Sequence, residues 1–539
     1  MRYVHEGMDG HLTINQAPWH NPFLSARQPI AGRNVVATSH PLAAQAALDT
    51  LSRGGNAAEA TIAGAAVLAV VEPQSSGLGG DALAILWDGD SVKGLNGSGR
   101  APAALDAEEW LGSADGMPLF DWPSVTVPGV VATWSSLYER YGRLPFASLF
   151  ERAIQYAAGG FVVLPTTASS LELASSWYGH VPEFARTFLS SGRAPRAGDR
   201  LVQADCAQSL QLIAQSRGSD FYQGEIAARI AEYAYECGAV LSEQDLRDHK
   251  SEWVQPLSTV VDGQTVYQLP PNTQGVATLA TLGILSELRK VFPKATGVDY
   301  THLQIEATNL ALADCSNVVG DGADSRLGAQ ELLTPEYFQR QAQRVSLVEA
   351  KDYGYRPPHG SGTVCLTVAD ASGFVVSYMQ SLYIGSGVVV PGTGVHLHNR
   401  GSAFSTIRGH VNEVAPSKRP LNSNMPGLVL QGQEPRLAIA ILGGPMQPQG
   451  QVQLLDRVLQ QGMNVQAAVD APRWRAEGGR DVSLEPSLVL EQGPSLSQRG
   501  HAITDVGPGG FGSAQMIERS GPEYVGGSDT RRDGQAVGF

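Results

Sequence analysis

Acyl-transfer chemistry needs a nucleophile, a base and donors for a developing oxyanion, and few residues in this sequence can supply them. No G-x-S-x-G turn stands between a strand and a helix, and the neighbours of the 12 histidines suggest no Ser-His-Asp triad. His396-Leu-His398 is the one close histidine pair. Alternation along a strand would put both rings on one face, where they could hold a metal. No H-E-x-x-H accompanies them, and isolated pairs of this kind are common in plain strands, so no metal is expected. Thr363 offers a third solution. If the peptide bond before it is cut, the freed α-amine lies beside the Thr363 hydroxyl. Such an amine titrates at about 7.7–8.0, so it can take the hydroxyl proton near neutral pH, and one residue supplies nucleophile and base. Gly360-Ser-Gly362 precedes Thr363. Gly362 has no Cβ to block attack on its carbonyl and tolerates a strained backbone. Gly443-Gly444 follows the apolar run Leu437–Leu442 and could aim two backbone N–H groups at an oxyanion, although such a pair also makes an ordinary turn.

The elements that must position these residues can be read from periodicity. Asn34–Thr38 is strand-like, and His40–Arg53 has helical spacing stopped by Gly54-Gly55. Asn56 suits the N-cap of a second helix reaching Val71, whose AGAAVLAVV core is too short to cross a bilayer and reads as buried. Ser75–Gly80 is a turn before the apolar strand Ala82–Trp87. Helices are expected around Trp134–Tyr141 and over 146–160 and 202–237. The stretch 222–350 reads as mostly helical, broken by a strand at Thr265–Leu269. Tyr353–Gly362, with two prolines, reads as an exposed connector. Thr363–Asp370 and Phe374–Ser381, joined by Ala371-Ser-Gly373, form a hairpin pattern with Val364, Leu366 and Val368 on one face. Strands near Leu428–Leu430, Leu437–Leu442 and Val482–Leu484 and a helix at Gln449–Gly462 follow. The pattern is a helix-rich first two-thirds and a strand-rich last third in one layered α+β body.

Bulk properties narrow the function. A net charge of −14 disfavours nucleic acid and anionic membranes as partners. The four cysteines are far apart with no C-x-x-C pair, so buried free thiols are expected rather than a disulfide scaffold or structural zinc. Residues 1–33 are polar and irregular, without the apolar core of a secretory signal, which gives the expectation of a cytoplasmic protein.

A series of short motifs runs in order from Val35 to Phe539. It includes Gly54-Gly-Asn-Ala-Ala-Glu-Ala60, Gly77-Leu-Gly-Gly80, Val127-Pro-Gly129, Thr363-Val-Cys-Leu-Thr-Val-Ala-Asp370 and Gly385-Ser-Gly387. Lys418-Arg-Pro-Leu421, Gly443-Gly444, Ala471-Pro-Arg473 and Ser528-Asp529 with Arg531 complete it. Together they resemble the γ-glutamyltransferase family of N-terminal-nucleophile hydrolases. The resemblance implies a four-layer αββα sandwich, made as one precursor and cut between Gly362 and Thr363. The products would be a large subunit of residues 1–362 and a small subunit of residues 363–539, held together as a heterodimer. It implies no cofactor. It places Thr363 as nucleophile, Ser381 where a second threonine supports the nucleophile's amine, and Gly443 and Gly444 at the oxyanion pair.

The departures concern substrate. Family members hold the glutamyl α-amine with an Asn, a Gln or Glu, and an Asp, where this chain has Tyr383, Arg400 and Ala403. The α-carboxylate is held by an Arg and two serines. Here the serine pair is Asn422-Ser423, and Arg100 lies near the arginine position. Asn399-Arg-Gly401 resembles an acylase-like subgroup. Arg100 and Arg400 suggest an anionic acyl group, with ion pairing as the plain alternative. Three activities follow: transfer or hydrolysis of γ-glutamyl amides, the same threonine chemistry on another acyl group, or binding without processing. If Thr363 is the processing residue, the wild-type protein runs as two bands on a denaturing gel and Thr363→Ala as one. Two bands from both proteins would remove Thr363 from that role.

Overall fold

The computed structural model describes residues 26–357 and 362–539. Fourteen strands form two seven-stranded antiparallel sheets. In chain order they are β1 (Ile30–Gly32), β2 (Val35–Thr38), β3 (Asp81–Trp87), β4 (Val92–Asn96), β5 (Glu252–Val254), β6 (Leu257–Val261) and β7 (Gln264–Gln268). Then come β8 (Gly362–Ala369), β9 (Val375–Tyr383), β10 (Gly427–Gln431), β11 (Glu434–Leu442), β12 (Ser513–Ser520), β13 (Glu523–Ser528) and β14 (Gln535–Gly538). One sheet runs β1-β13-β12-β11-β10-β7-β6, the other β14-β2-β8-β9-β3-β4-β5. Each sheet therefore mixes strands from before and after Thr363.

The sheets are stacked because their central strands are apolar on both faces. In β8, Val364, Leu366 and Val368 join the core under the helices α1 (Pro41–Ser52) and α2 (Ala57–Val71). The alternate residue Cys365 meets Met379, Ala440 and Leu442 between the sheets. On the far side α3 (Gly275–Val291), α4 (Gly297–Cys315), α5 (Met446–Leu459) and α6 (Val465–Asp470) share a core with Leu437, Ile439 and Ile441 of β11. This is the four-layer αββα arrangement. All 15 residues of α2 are buried, as a helix apolar on every side requires. A capping box fixes its start: the Asn56 side chain accepts from Glu59 N, and Glu59 accepts from Asn56 N.

Several expectations are corrected. Residues 30–32, read as irregular, pair with Tyr524–Gly526 as an edge strand too short to show a pattern; residues 1–25 lie outside the described ones. Strands β5 and β6 interrupt a stretch expected to be helical, since pairing with β4 and β7 decides them. In the connector, Tyr355 is buried rather than exposed and Gly362 already belongs to β8; residues 358–361 lie outside the described ones. Cys237 is exposed, whereas Cys206, Cys315 and Cys365 are buried and unbridged. Among the described residues no helix is long and apolar enough to cross a membrane.

The Asn56 amide also donates to Tyr141 O at 2.6 Å, tying α2 to the end of a neighbouring helix. Asn56→Ala should lower unfolding stability by about 1–2 kcal/mol. Asn56→Asp, which keeps the cap acceptor, should lose less in the same denaturant titration.

Candidate active site

Thr363 is the second residue of β8 and is almost wholly buried, at 2% exposure. Its surroundings are set by an irregularity in the hairpin. Gly362 pairs with Tyr383 but Val364 pairs with Gln380, so β9 carries one residue more than β8 between these points. Such a bulge re-aims side chains, and here it brings the Ser381 hydroxyl to 3.2 Å from Thr363 Oγ1. Ser381 Oγ accepts from Tyr383 N at 2.7 Å and donates to the Gly362 carbonyl. Its one proton is thereby committed to the carbonyl that precedes Thr363. The Thr363 hydroxyl is left to donate to Ser381 Oγ or to Asn424 Oδ1 at 3.3 Å. Only glycine fits before Thr363, because a Cβ on Gly362 would lie 2.3 Å from Tyr383 O.

Gly443 and Gly444 follow β11 with φ of +125° and +57°. Their carbonyls accept from Met446 N and Gln447 N in the first turn of α5. Among the described residues their own N–H groups donate to nothing. Two free donors at the start of a 14-residue helix can stabilise an anion. A cleft of about 710 Å³ opens here, lined by Gly362, Gly443, Leu173, Trp177, Tyr178 and Arg532, among others.

The remaining expected residues form a closed network instead of an open grip. Arg400 is fully buried and forms a two-pronged ion pair with Asp81, Nε to Oδ2 at 2.9 Å and Nη2 to Oδ1 at 3.2 Å. Its Nη1 donates to Ser423 Oγ at 3.2 Å, and its guanidinium lies 4.4 Å from the centre of the Tyr383 ring. Asn422 donates to Asp81 at 2.7 Å, and Asn424 at 3.4 Å. Asn399 accepts from Ile384 N and Gly385 N and donates to Leu119 O, so its amide shapes the turn after β9. Arg100 stands apart, partly exposed and paired with Asp321 and Glu252. The reading of Arg100 and Arg400 as cations awaiting an anionic acyl group is therefore corrected: both already have acidic partners.

Asp81 and Asn424 were not found from the sequence. The signal for Asp81 was an acid opening the otherwise apolar run DALAILW, a position charged residues occupy only when paired. Asn424 sits two residues after Asn422. The Cys365 thiol faces the gap between the sheets, and burial pushes its pKa up, away from thiolate chemistry. His396 and His398 do not converge. His396 accepts from Gly387 N among Tyr178, Phe184 and Phe188, whereas His398 Nε2 serves the Thr126 carbonyl. Burial lowers both pKa values, that of His396 to about 3.

A family model described as Gamma-glutamyltranspeptidase matches residues 43–539. The chain belongs to the gamma-glutamyltranspeptidase family. It is 35% identical to the glutathione hydrolase-like YwrD proenzyme of Bacillus subtilis, over 95% of this chain and 99% of that one. It is 32% identical to the oxamate amidohydrolase proenzyme of Klebsiella pneumoniae, over 95% and 99%. The crystal structure of cephalosporin acylase from Bacillus halodurans superposes with a TM-score of 0.91 at 38% identity, covering 97% of this chain and 99% of that one. The protein is thus an enzyme of this family, and its relatives include hydrolase and acylase proenzymes.

Removing one partner of the Arg400–Asp81 pair strands a buried charge. Arg400→Met should destabilise the protein by about 3–5 kcal/mol, and Asp81→Leu added to it should recover much of that loss. A double variant no more stable than Arg400→Met in urea unfolding would mean the pair is not a closed unit.

Proposed function

We propose that the chain cuts its own Gly362–Thr363 bond and then hydrolyses or transfers the acyl group of a small amide through an ester on Thr363. In the cut, Thr363 Oγ1 attacks the Gly362 carbonyl carbon while Ser381 donates to the carbonyl oxygen. The C–N bond breaks, the Thr363 nitrogen leaves as an amine, and water hydrolyses the ester between Gly362 and Thr363. In turnover the freed amine takes the hydroxyl proton, the substrate carbonyl is attacked, and Gly443 and Gly444 offer N–H donors to the oxyanion. The mature protein would pair residues 1–362 with 363–539.

The observation that carries the substrate reading is the Asp81–Arg400–Asn422 network. Its Arg400 stands at one of the positions from which family members hold the glutamyl α-amine, and its one acid, Asp81, is already engaged by that guanidinium. An ammonium group brought there would meet Arg400 without a free acidic partner. The acyl group is therefore one without the γ-glutamyl α-amine. A cation for its far end is available in the cleft. Arg532 lines it, and its Nη1 is buried with no hydrogen-bond partner among the described residues. Its acidic neighbours Glu72 and Asp533 are both pushed by burial toward the neutral form. An acyl group ending in a carboxylate suits this arrangement.

A glutaryl anilide and a γ-glutamyl anilide differ only in that amine. The glutaryl compound should be turned over at least tenfold faster, and Arg532→Gln should raise its KM by about 10–100-fold with a smaller change in kcat. Preference for the γ-glutamyl compound would overturn the substrate assignment.

A further inference from the structure

Away from Thr363, a second group of chemically capable side chains lies between α4 and the C-terminal third of the chain. His302 and Glu306 are one turn apart on α4, and His501 comes from the loop after the helix Pro486–Gln498. All three are buried, and their candidate ligand atoms lie within 4.8 Å of one another. We propose that His302, Glu306 and His501 bind one zinc ion, which clamps the segment before Gly362 to the region after Thr363.

The donor chemistry follows from the hydrogen bonds. The Ser346 carbonyl can only accept, so the His302 proton sits on Nε2, 2.8 Å from that oxygen. The other ring nitrogen, Nδ1, is then a bare lone pair. A histidine held through its second N–H by a backbone carbonyl is the usual form of a metal ligand. His302 Nδ1 lies 2.8 Å from His501 Nε2, which must therefore donate to it. Zinc ligands at about 2.0–2.1 Å in a tetrahedron stand about 3.3 Å apart, so the two rings need to part by only about half an ångström. The metal replaces the bridging proton. His501 moves that proton to its Nδ1, which is buried without a hydrogen-bond partner and close to the Arg480 backbone. Glu306 supplies the third ligand as a carboxylate, releasing its proton to solvent if it holds one, and water fills the fourth position.

The nearby cations are otherwise engaged. Arg499 pairs with Asp299, and Lys351 Nζ turns to the Arg344 carbonyl. Among the described residues Glu306 forms no such ion pair. Tyr353 OH donates to it at 2.8 Å and Lys351 N at 3.3 Å, and burial raises its pKa to about 7, as expected of a carboxylate lacking a counter-cation. Ser346, Lys351 and Tyr353 belong to the stretch leading to Gly362, whereas His501 lies beyond Thr363, so the ion would join both sides of the proposed cut. The site is independent of the Thr363 chemistry.

The test uses the full chain, stripped with a chelator and titrated with zinc or cobalt alone. One zinc per chain should bind. Cobalt in its place should give the strong visible absorption of a four-coordinate ion, a readout on wild-type protein that does not depend on variants folding. His302→Gln, Glu306→Gln and His501→Gln should each weaken zinc uptake at least tenfold, while Thr363→Ala leaves it unchanged. A wild-type chain that takes up neither metal, or uptake unaltered in the two histidine variants, would overturn the proposal.

Discussion

The site depends on how closely two neighbouring strands approach at one point. Opposite Tyr383 the backbone leaves no room for a side chain, so the residue before Thr363 must be glycine. The bulge beside this contact turns Ser381 inward until its hydroxyl spans the Thr363 hydroxyl and the Gly362 carbonyl. The Thr363 hydroxyl, the Ser381 donor and the Gly362 carbonyl are therefore fixed by main-chain pairing, not by flexible side chains. The surrounding αββα layers supply the stiffness. Interleaved apolar residues on both faces of β8 and β9 leave Thr363 few ways to move.

The second constraint is electrostatic. Asp81 and Arg400 have no contact with water, and a pair so placed is retained for geometry more readily than for stability. Asp81 accepts from Arg400, Asn422 and Asn424 together, and Asn424 in turn accepts from the Thr363 hydroxyl. One carboxylate thus links Arg400 and Asn422 to the Thr363 hydroxyl through Asn424. The surroundings of Arg400 and the positioning of Thr363 are coupled through the same side chain.

Local features were readable from the sequence and long-range ones were not. The Asn56 cap, the buried helix after it, the hairpin around Gly373 and the special position of Thr363 each rest on residues within a few positions of one another. The cap, the helix and the hairpin are found where the pattern puts them, and Thr363 lies near the start of a buried strand. The sequence leaves Arg400 open between an anionic acyl group and an ion pair, because its acid lies 319 positions away in the chain. The edge strand β1 and the strands β5 and β6 are too short to carry a period, and pairing with distant strands fixes them. The same applies to the His302–Glu306–His501 group, in which His501 lies 199 positions from His302 and meets the helical pair only through packing.

The central claim is that Thr363 acts only once its own backbone nitrogen is free. N-terminal sequencing of an actively turning-over preparation tests it most directly. The account predicts a fragment of 177 residues, 539 less 362, that begins Thr-Val-Cys-Leu and accumulates in step with activity. Full amide turnover by a chain whose Gly362–Thr363 bond remains intact would contradict it.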